Sequence, residues 1–306
     1  MIVDKMCIRD RGMMEYVEEW VIDMRVRELS EGSIAVNRTL IQYYLNYINA
    51  QTPQDITTSS IKAFMLDKKE KGCKPQYINN LLKTIKVFCN WLVEEGYIKT
   101  SPAKKISKMK LPKTQIHTFS KSEIYKLVNY YSKPTYNELK LKVIFMMMFE
   151  TGMRINEILT LKKEQIKDDY IIVYGKGDKE RIVPKTPILA KWLKRYDRER
   201  EHYFKYRLHQ DYYFLSKTGK QLTNEAIAHA MKVAGRKIGV SDDIRVSPHT
   251  CRHTFAHQQL QNGLDLYSLM RLLGHTNISV TQKYLEGIQD KQIISQALRT
   301  SVLSNL

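Results

Sequence analysis

Between residues 78 and 92, six apolar side chains recur at three- and four-residue steps: Ile78, Leu81, Leu82, Ile85, Phe88 and Leu92. That spacing stacks them on one face of an α-helix, and so apolar a face has to be covered by other helices. Three shorter stripes precede it. Val17, Trp20, Val21 and Met24 form the first; Ile41, Tyr44, Leu45 and Ile48 the second, ended near Pro53; Ile61, Phe64 and Met65 the third, closed by Gly72. Four amphipathic helices predict a small helical domain over 13–100. The stretch 1–12 has no usable periodicity and is expected to be a disordered leader.

The polar face of the fourth helix carries Gln76, Asn80 and Lys83. Such residues are the ordinary furniture of a solvated face. They also suit a DNA-facing surface, because amides pair with adenine edges and Lys with phosphate or guanine. Beyond residue 100 the composition changes. Lys104, Lys105, Lys108, Lys110 and Lys113 lie between Pro102 and His117 with little apolar rhythm. This reads as a basic linker over 101–118 that follows a phosphate backbone.

The second half mixes element types. A capping box at Ser120 and Glu123 opens a helix over 121–131. A further helix over 138–150 ends at Gly152, and 154–161 is again helical. Tyr170 to Tyr174 is rich in Ile, Val and Tyr, Arg181 to Val183 answers it, and Gly175-Lys176-Gly177-Asp178-Lys179 between them reads as a hairpin loop. Helices are predicted at 187–200, 223–238, 248–262 and 265–273. The expected fold class is therefore mainly α: a four-helix domain plus a mixed α+β domain over 119–306 with a small β-hairpin; joined by the basic linker, the two are expected to close on a duplex as a C-shaped clamp.

The chain has 306 residues, enough for two cores. Fifty Lys and Arg against 32 Asp and Glu leave a formal charge of +18. Such an excess keeps a protein soluble, and it also suits a polyanionic partner, since neutralised phosphates release counterions. The longest apolar run, Val143 to Phe149, is too short to span a bilayer. Cys7, Cys73, Cys89 and Cys251 are scattered, which fits reduced thiols and a cytoplasmic, nucleoid-associated protein. His249, Cys251, His253 and His257 cluster, but without a second cysteine or a carboxylate at ligand spacing no metal site is expected.

Chemistry concentrates in the last third. S-P-H-T-C-R-H-T-F occupies 247–255, with Ser247 and Pro248 as a helix start. His249 and Arg252 then share the first turn, where free N–H groups favour an anion. L-L-G-H-T follows at 272–276, and Tyr284 stands 32 residues after Arg252 and nine after His275. Each fragment alone has a plainer reading. Arg154 is a helix-start arginine able to pair with Glu157, His275 a loop residue, and Tyr284 one of 19 tyrosines.

Together, and in this order, Arg154, the lysine hairpin, the His249/Arg252 box, His275 and Tyr284 resemble the tyrosine recombinase (phage integrase) family. The type resembled is the two-domain, Xer-like one, the N-terminus being too short for an arm-site domain. The resemblance implies that Arg154 and Arg252 clamp a scissile phosphate and that His249 accepts the tyrosine proton. It further implies that His275 bonds a phosphoryl oxygen and that Lys176, with Lys179 as a rival, protonates the leaving 5′ oxygen. Tyr284 becomes the nucleophile, without cofactor or metal. The implied partners are double-stranded DNA with inverted-repeat core sites, a homotetramer in the synaptic complex and, left open, an accessory factor. Ile293, Ile294, Ala297, Leu298 and Val302 are expected to form a C-terminal exchange helix. Integration or excision of a mobile element is the expected role. A Xer-type chromosome-dimer resolvase, a topoisomerase of type IB and a non-cleaving architectural protein are the alternatives.

Overall fold

A computed structural model of the chain describes residues 11–112, 117–175 and 179–285. Lys176, most of the expected leader and the expected exchange helix lie outside the described residues. The chain divides into two compact units between residues 114 and 115.

The N-terminal unit holds α1 (Met13–Val26), α2 (Glu31–Ile48), α3 (Thr58–Glu70) and α4 (Pro75–Glu94), with a 3₁₀ turn at Pro53–Asp55. Local chemistry sets the ends. The Ser30 and Thr57 side chains accept N-cap bonds from Ser33 and Ser60, Pro75 opens α4 at a position that needs no N–H, and Asn49 closes α2 in the left-handed region. The α4 stripe is sealed against α2 and α3, and Trp20, Tyr44, Phe64 and Phe88 are withdrawn from solvent at the centre.

The basic segment after residue 100 is not a free strap throughout. Ala103 and Ile106 are buried in the same core. The Asn79 side chain grips the Met109 backbone from both sides, donating to its carbonyl at 2.9 Å and accepting from its N–H at 2.8 Å. Two apolar residues three apart were enough to dock a lysine-rich stretch. Lys104, Lys105 and Lys108 stay exposed above it, as do Gln76, Asn80 and Lys83 on α4. Gln76 and Asn80 bond each other at 3.0 Å.

The C-terminal unit contains α5 (Lys121–Tyr130), α6 (Tyr136–Thr151), α7 (Ile155–Leu159), β1 (Tyr170–Tyr174) and β2 (Glu180–Pro184). There follow α8 (Pro187–Phe204), α9 (Asn224–Ile238), α10 (Pro248–Gln261), α11 (Leu266–Leu273) and a short α12 (Ser279–Gln282) that the periodicity did not announce. Helix α6 is the axle. It is apolar nearly all round, and α5, α8 and α10 pack on it. Its lysines are accommodated by single acceptors: Lys140 Nζ donates to the Leu215 carbonyl at 2.8 Å, and burial draws its pKa down to about 8.

The two strands pair antiparallel, with Ile171 opposite Val183 and Val173 opposite Arg181. Opposed residues share a face, so the register that buries Ile171, Val173 and Val183 also turns Arg181 inward. Strand β2 lies against α11. Among the described residues no helix is long and apolar enough to cross a membrane.

Candidate active site

Helix α10 starts as its sequence requires. Ser247 in extended conformation caps it, accepting from Thr250 N–H, and Pro248 takes the first helical position. His249, Arg252 and His253 then project from neighbouring turns at three- and four-residue spacing.

Arg252 is 5 % exposed, and its guanidinium is held at several points while donors remain to spare. Its guanidinium donates to the Gly152 carbonyl at 2.8 Å and to the Leu273 carbonyl at 2.6 Å. Those carbonyls belong to the C-terminal ends of α6 and α11, where unpaired C=O groups and the helix dipole present negative charge. Burial, then the neighbouring Arg154, lowers the Arg252 pKa to about 10, leaving it charged at neutral pH. Gly152 makes the arrangement possible. It caps α6 at φ +61°, and a Cβ there would sit 2.3 Å from the Phe255 ring.

Arg252 also donates to His275 Nε2 at 2.9 Å. A guanidinium only donates, so Nε2 accepts, the ring hydrogen sits on Nδ1, and Nδ1 donates to Thr281 Oγ1 at 2.8 Å. Burial first, then Arg252 and Arg154, pulls the His275 pKa down to about 4, so the ring is neutral at neutral pH. In this state its Nε2 is an acceptor. Offering a donor to a phosphoryl oxygen requires the Arg252 bond to be broken and the ring hydrogen to move to Nε2, with Thr281 Oγ1 then donating to Nδ1.

A carboxylate ties the remaining cations together. Glu157, 9 % exposed, accepts from Arg154 N–H at 2.7 Å and from the Arg154 guanidinium at 3.0 Å. Its other partner is Arg181, bonded through two nitrogens at 2.6 and 3.0 Å. Burial alone would raise the Glu157 pKa; Arg181, with Arg154, reverses that and holds it below the usual carboxylate range. Arg181 in turn donates through Nε to the Leu272 carbonyl, again at the end of α11, at 2.8 Å. It packs so closely on Gly274 that a Cβ there would lie 3.0 Å from its chain.

Tyr284 is 5 % exposed, packed with Phe255, Leu260, Leu269 and Leu273. Its hydroxyl lies 2.9 Å from His253 Nδ1. Burial raises the phenol pKa, while Arg252 and Arg154 pull it back towards ionisation. His249, the residue expected against the tyrosine, instead lines an open cavity of about 500 Å³ together with His117, Ile155, Arg245, Ser247 and His253.

The fold thus gathers Arg154, Arg252, His275 and Tyr284 from four separate stretches, with His249 beside them. Lys176 lies outside the described residues, and the candidate DNA contacts on α4 and after it belong to the other unit. Sequence reasoning missed Arg181, His253 and Thr281. For Arg181 a signal existed: two residues before Val183 it must share that residue's inward face. Among the described residues, no His, Cys, Asp and Glu side chains gather into a metal-binding group.

Two family models match: the Phage integrase family over residues 117–289, and the Phage integrase N-terminal SAM-like domain over 17–99. Tyrosine recombinase XerD of Lacticaseibacillus casei is 34% identical over 229 residues, covering 73% of this chain and 76% of that protein. Tyrosine recombinase XerD of Listeria monocytogenes is 29% identical over 283 residues, covering 89% and 94%. Among solved structures, a lambda integrase dimer bound to a COC′ core site superposes with a TM-score of 0.71 at 16% identity, covering 90% of this chain and 95% of that one. XerH site-specific recombinase bound to a palindromic difH substrate superposes with a TM-score of 0.72 at 20% identity, covering 94% and 84%. With both halves matched and the site assembled, the chain belongs to the phage integrase family, the tyrosine recombinases, enzymes that cleave and rejoin DNA strands.

Proposed function

We propose that this chain is a site-specific recombinase that breaks one DNA strand by attack of the Tyr284 hydroxyl on the scissile phosphate. The product is a 3′-phosphotyrosyl link and a free 5′ hydroxyl. The link keeps the energy of the broken bond, so rejoining needs neither ATP nor metal. The observation that supports this most is the meeting of Arg252, Arg154, His275 and Tyr284 in one site. Attack raises the phosphoryl group from one negative charge to two, and preorganised guanidiniums meet that growing charge. Arg154, whose side chain is 42% exposed, is the one a substrate reaches most readily.

In this reading Lys176, or Lys179 beside it, protonates the leaving oxygen, and His275 donates to a phosphoryl oxygen once the phosphate displaces its bond to Arg252 and its ring hydrogen has moved to Nε2. Gln76, Asn80, Lys83, Lys104, Lys105 and Lys108 contact the duplex from the N-terminal domain. Inverted-repeat core sites and a tetrameric synapse follow from the need to cut and exchange four strands. Integration or excision of a mobile element is the role assigned. The Xer recombinases among its relatives make resolution of chromosome dimers the competing one, and the two differ only in the DNA site used.

The test is a nicked duplex carrying either an element end or a chromosomal dimer-resolution site, with EDTA present, on a denaturing gel. A protein–DNA adduct formed by wild type and absent from Tyr284→Phe is expected, and the site that yields it assigns the role. Binding by both proteins without an adduct on any site would instead make the chain a non-cleaving architectural protein.

A further inference from the structure

The residue in contact with the Tyr284 hydroxyl is His253, which has no part in the function proposed above. Its ring lies 5.5 Å from the tyrosine ring, tilted by 55°, with Nδ1 2.9 Å from the phenolic oxygen. It immediately follows Arg252 in the chain, so the atom that would receive the proton and the guanidinium that would receive the phosphate are held by one helical turn.

We propose that His253, not His249, accepts the Tyr284 proton during strand cleavage; this deepens the recombinase reading above and rests on it. With its ring hydrogen on Nε2, His253 presents the Nδ1 lone pair to the phenol. As the Tyr284 Oη–P bond forms, the phenolic proton passes to Nδ1. The P–O5′ bond breaks, its electron pair leaves with the 5′ oxygen, and that oxygen takes a proton from the hairpin lysine. The dianionic phosphoryl group developing beside Arg252 stabilises the imidazolium while it lasts.

Two further observations fit. Burial, then His249, Arg252 and Lys283, lowers the His253 pKa, so the ring is neutral and able to accept at neutral pH. His253 also lines the open cavity of about 500 Å³. Tyr284 on one side of the ring is buried, while the ring borders space that water and small solutes can enter to return or remove the proton.

That access supplies the test. Wild type, Tyr284→Phe, His249→Ala, His253→Ala and His253→Asn are compared on the nicked duplex, reading adduct formation rate, DNA affinity and melting temperature. His253→Ala is expected to form adduct about 10²- to 10⁴-fold more slowly, with DNA affinity unchanged. Free imidazole, reaching the vacated space through the cavity, should restore the rate saturably. His253→Asn keeps a hydrogen-bonding group near Nδ1 but cannot take the proton, so it should stay slow; because it fills the site, it also covers the case in which His253→Ala fails to fold.

A His253→Ala rate within about threefold of wild type would overturn the proposal. Full recovery in His253→Asn would also overturn it, since that result assigns a positioning role, as would imidazole rescue confined to His249→Ala. Failure of wild type itself to form an adduct lost in Tyr284→Phe would overturn the recombinase reading, and the proposal with it.

Discussion

Replacing Glu157 by Gln preserves shape and removes one charge from the centre of the catalytic unit. Glu157 holds Arg181 by two bonds, at 2.6 and 3.0 Å, with both side chains under a tenth exposed. It also caps α7 through Arg154 N–H at 2.7 Å. A glutamine can accept through one oxygen only, and its amide hydrogens would face the hydrogens of a guanidinium. Breaking a buried ion pair on one side costs about 3–5 kcal/mol, because the partner stays buried and uncompensated. In a domain of this size each kcal/mol moves the melting temperature by roughly 2–4 °C, so Glu157→Gln should melt roughly 6–20 °C lower in differential scanning calorimetry.

The pH dependence gives a second arm. A carboxylate held below its unfolded pKa contributes stability that is present above the unfolded value, about 4.3, and is lost as pH falls through the folded one. Wild type should therefore lose its advantage over Glu157→Gln as the pH drops below about 4. Equal melting temperatures at pH 7, or a difference that persists unchanged into acid, would mean that Glu157 is not a buried ionised partner of Arg181.

The remaining predictions concern packing. Gly152→Ala puts a methyl group 2.3 Å from Phe255 at a left-handed φ of +61°. Backbone strain of about 1–2 kcal/mol and overpacking of about 1–3 should lower stability in urea titrations, and the adduct rate should fall as the carbonyl that holds Arg252 shifts. Ile106→Ser, at a site 5 % exposed in the N-terminal core, should cost about 2–5 kcal/mol by the same measurement. A value below about 0.5 would mean that the segment is a solvated strap after all.

Periodicity made the helices legible because most of them bury one face and leave the other wet. The stripe on α4 and the Ser247–Pro248 start of α10 needed no tertiary knowledge. Helix α6 was also legible, through Gly152 at its end, although its apolar girdle has no preferred side and its Thr135 cap emerged only in the structure. The docking of Ala103 and Ile106 was not, since two apolar residues among lysines make no pattern until the surface that receives them is known. The same limit applied to the site. Order along the chain singled out Arg154, Arg252, His275 and Tyr284, but whether His249 or His253 meets Tyr284 depends on how α10 is rotated about its axis. That rotation is set by Phe255 and Cys251 packing inward. Thr281 was hidden because a hydroxyl that fixes an imidazole tautomer leaves no mark in spacing.

The two buried guanidiniums rest on the carbonyl ends of α6 and α11. Dipoles of the protein's own backbone, unlike a bound counterion, are not diluted or displaced by electrolyte. The molecule therefore answers ionic strength in two ways. If the exposed lysines on and after α4 contact a duplex as proposed, they hold it through counterion release, and that grip should weaken steeply as salt rises. The cluster around Arg252 sits behind a dielectric boundary, and its field at the phosphate should be nearly indifferent to salt. On the proposed function, how often DNA is held and how fast held DNA is cut should then depend on separate sets of cations.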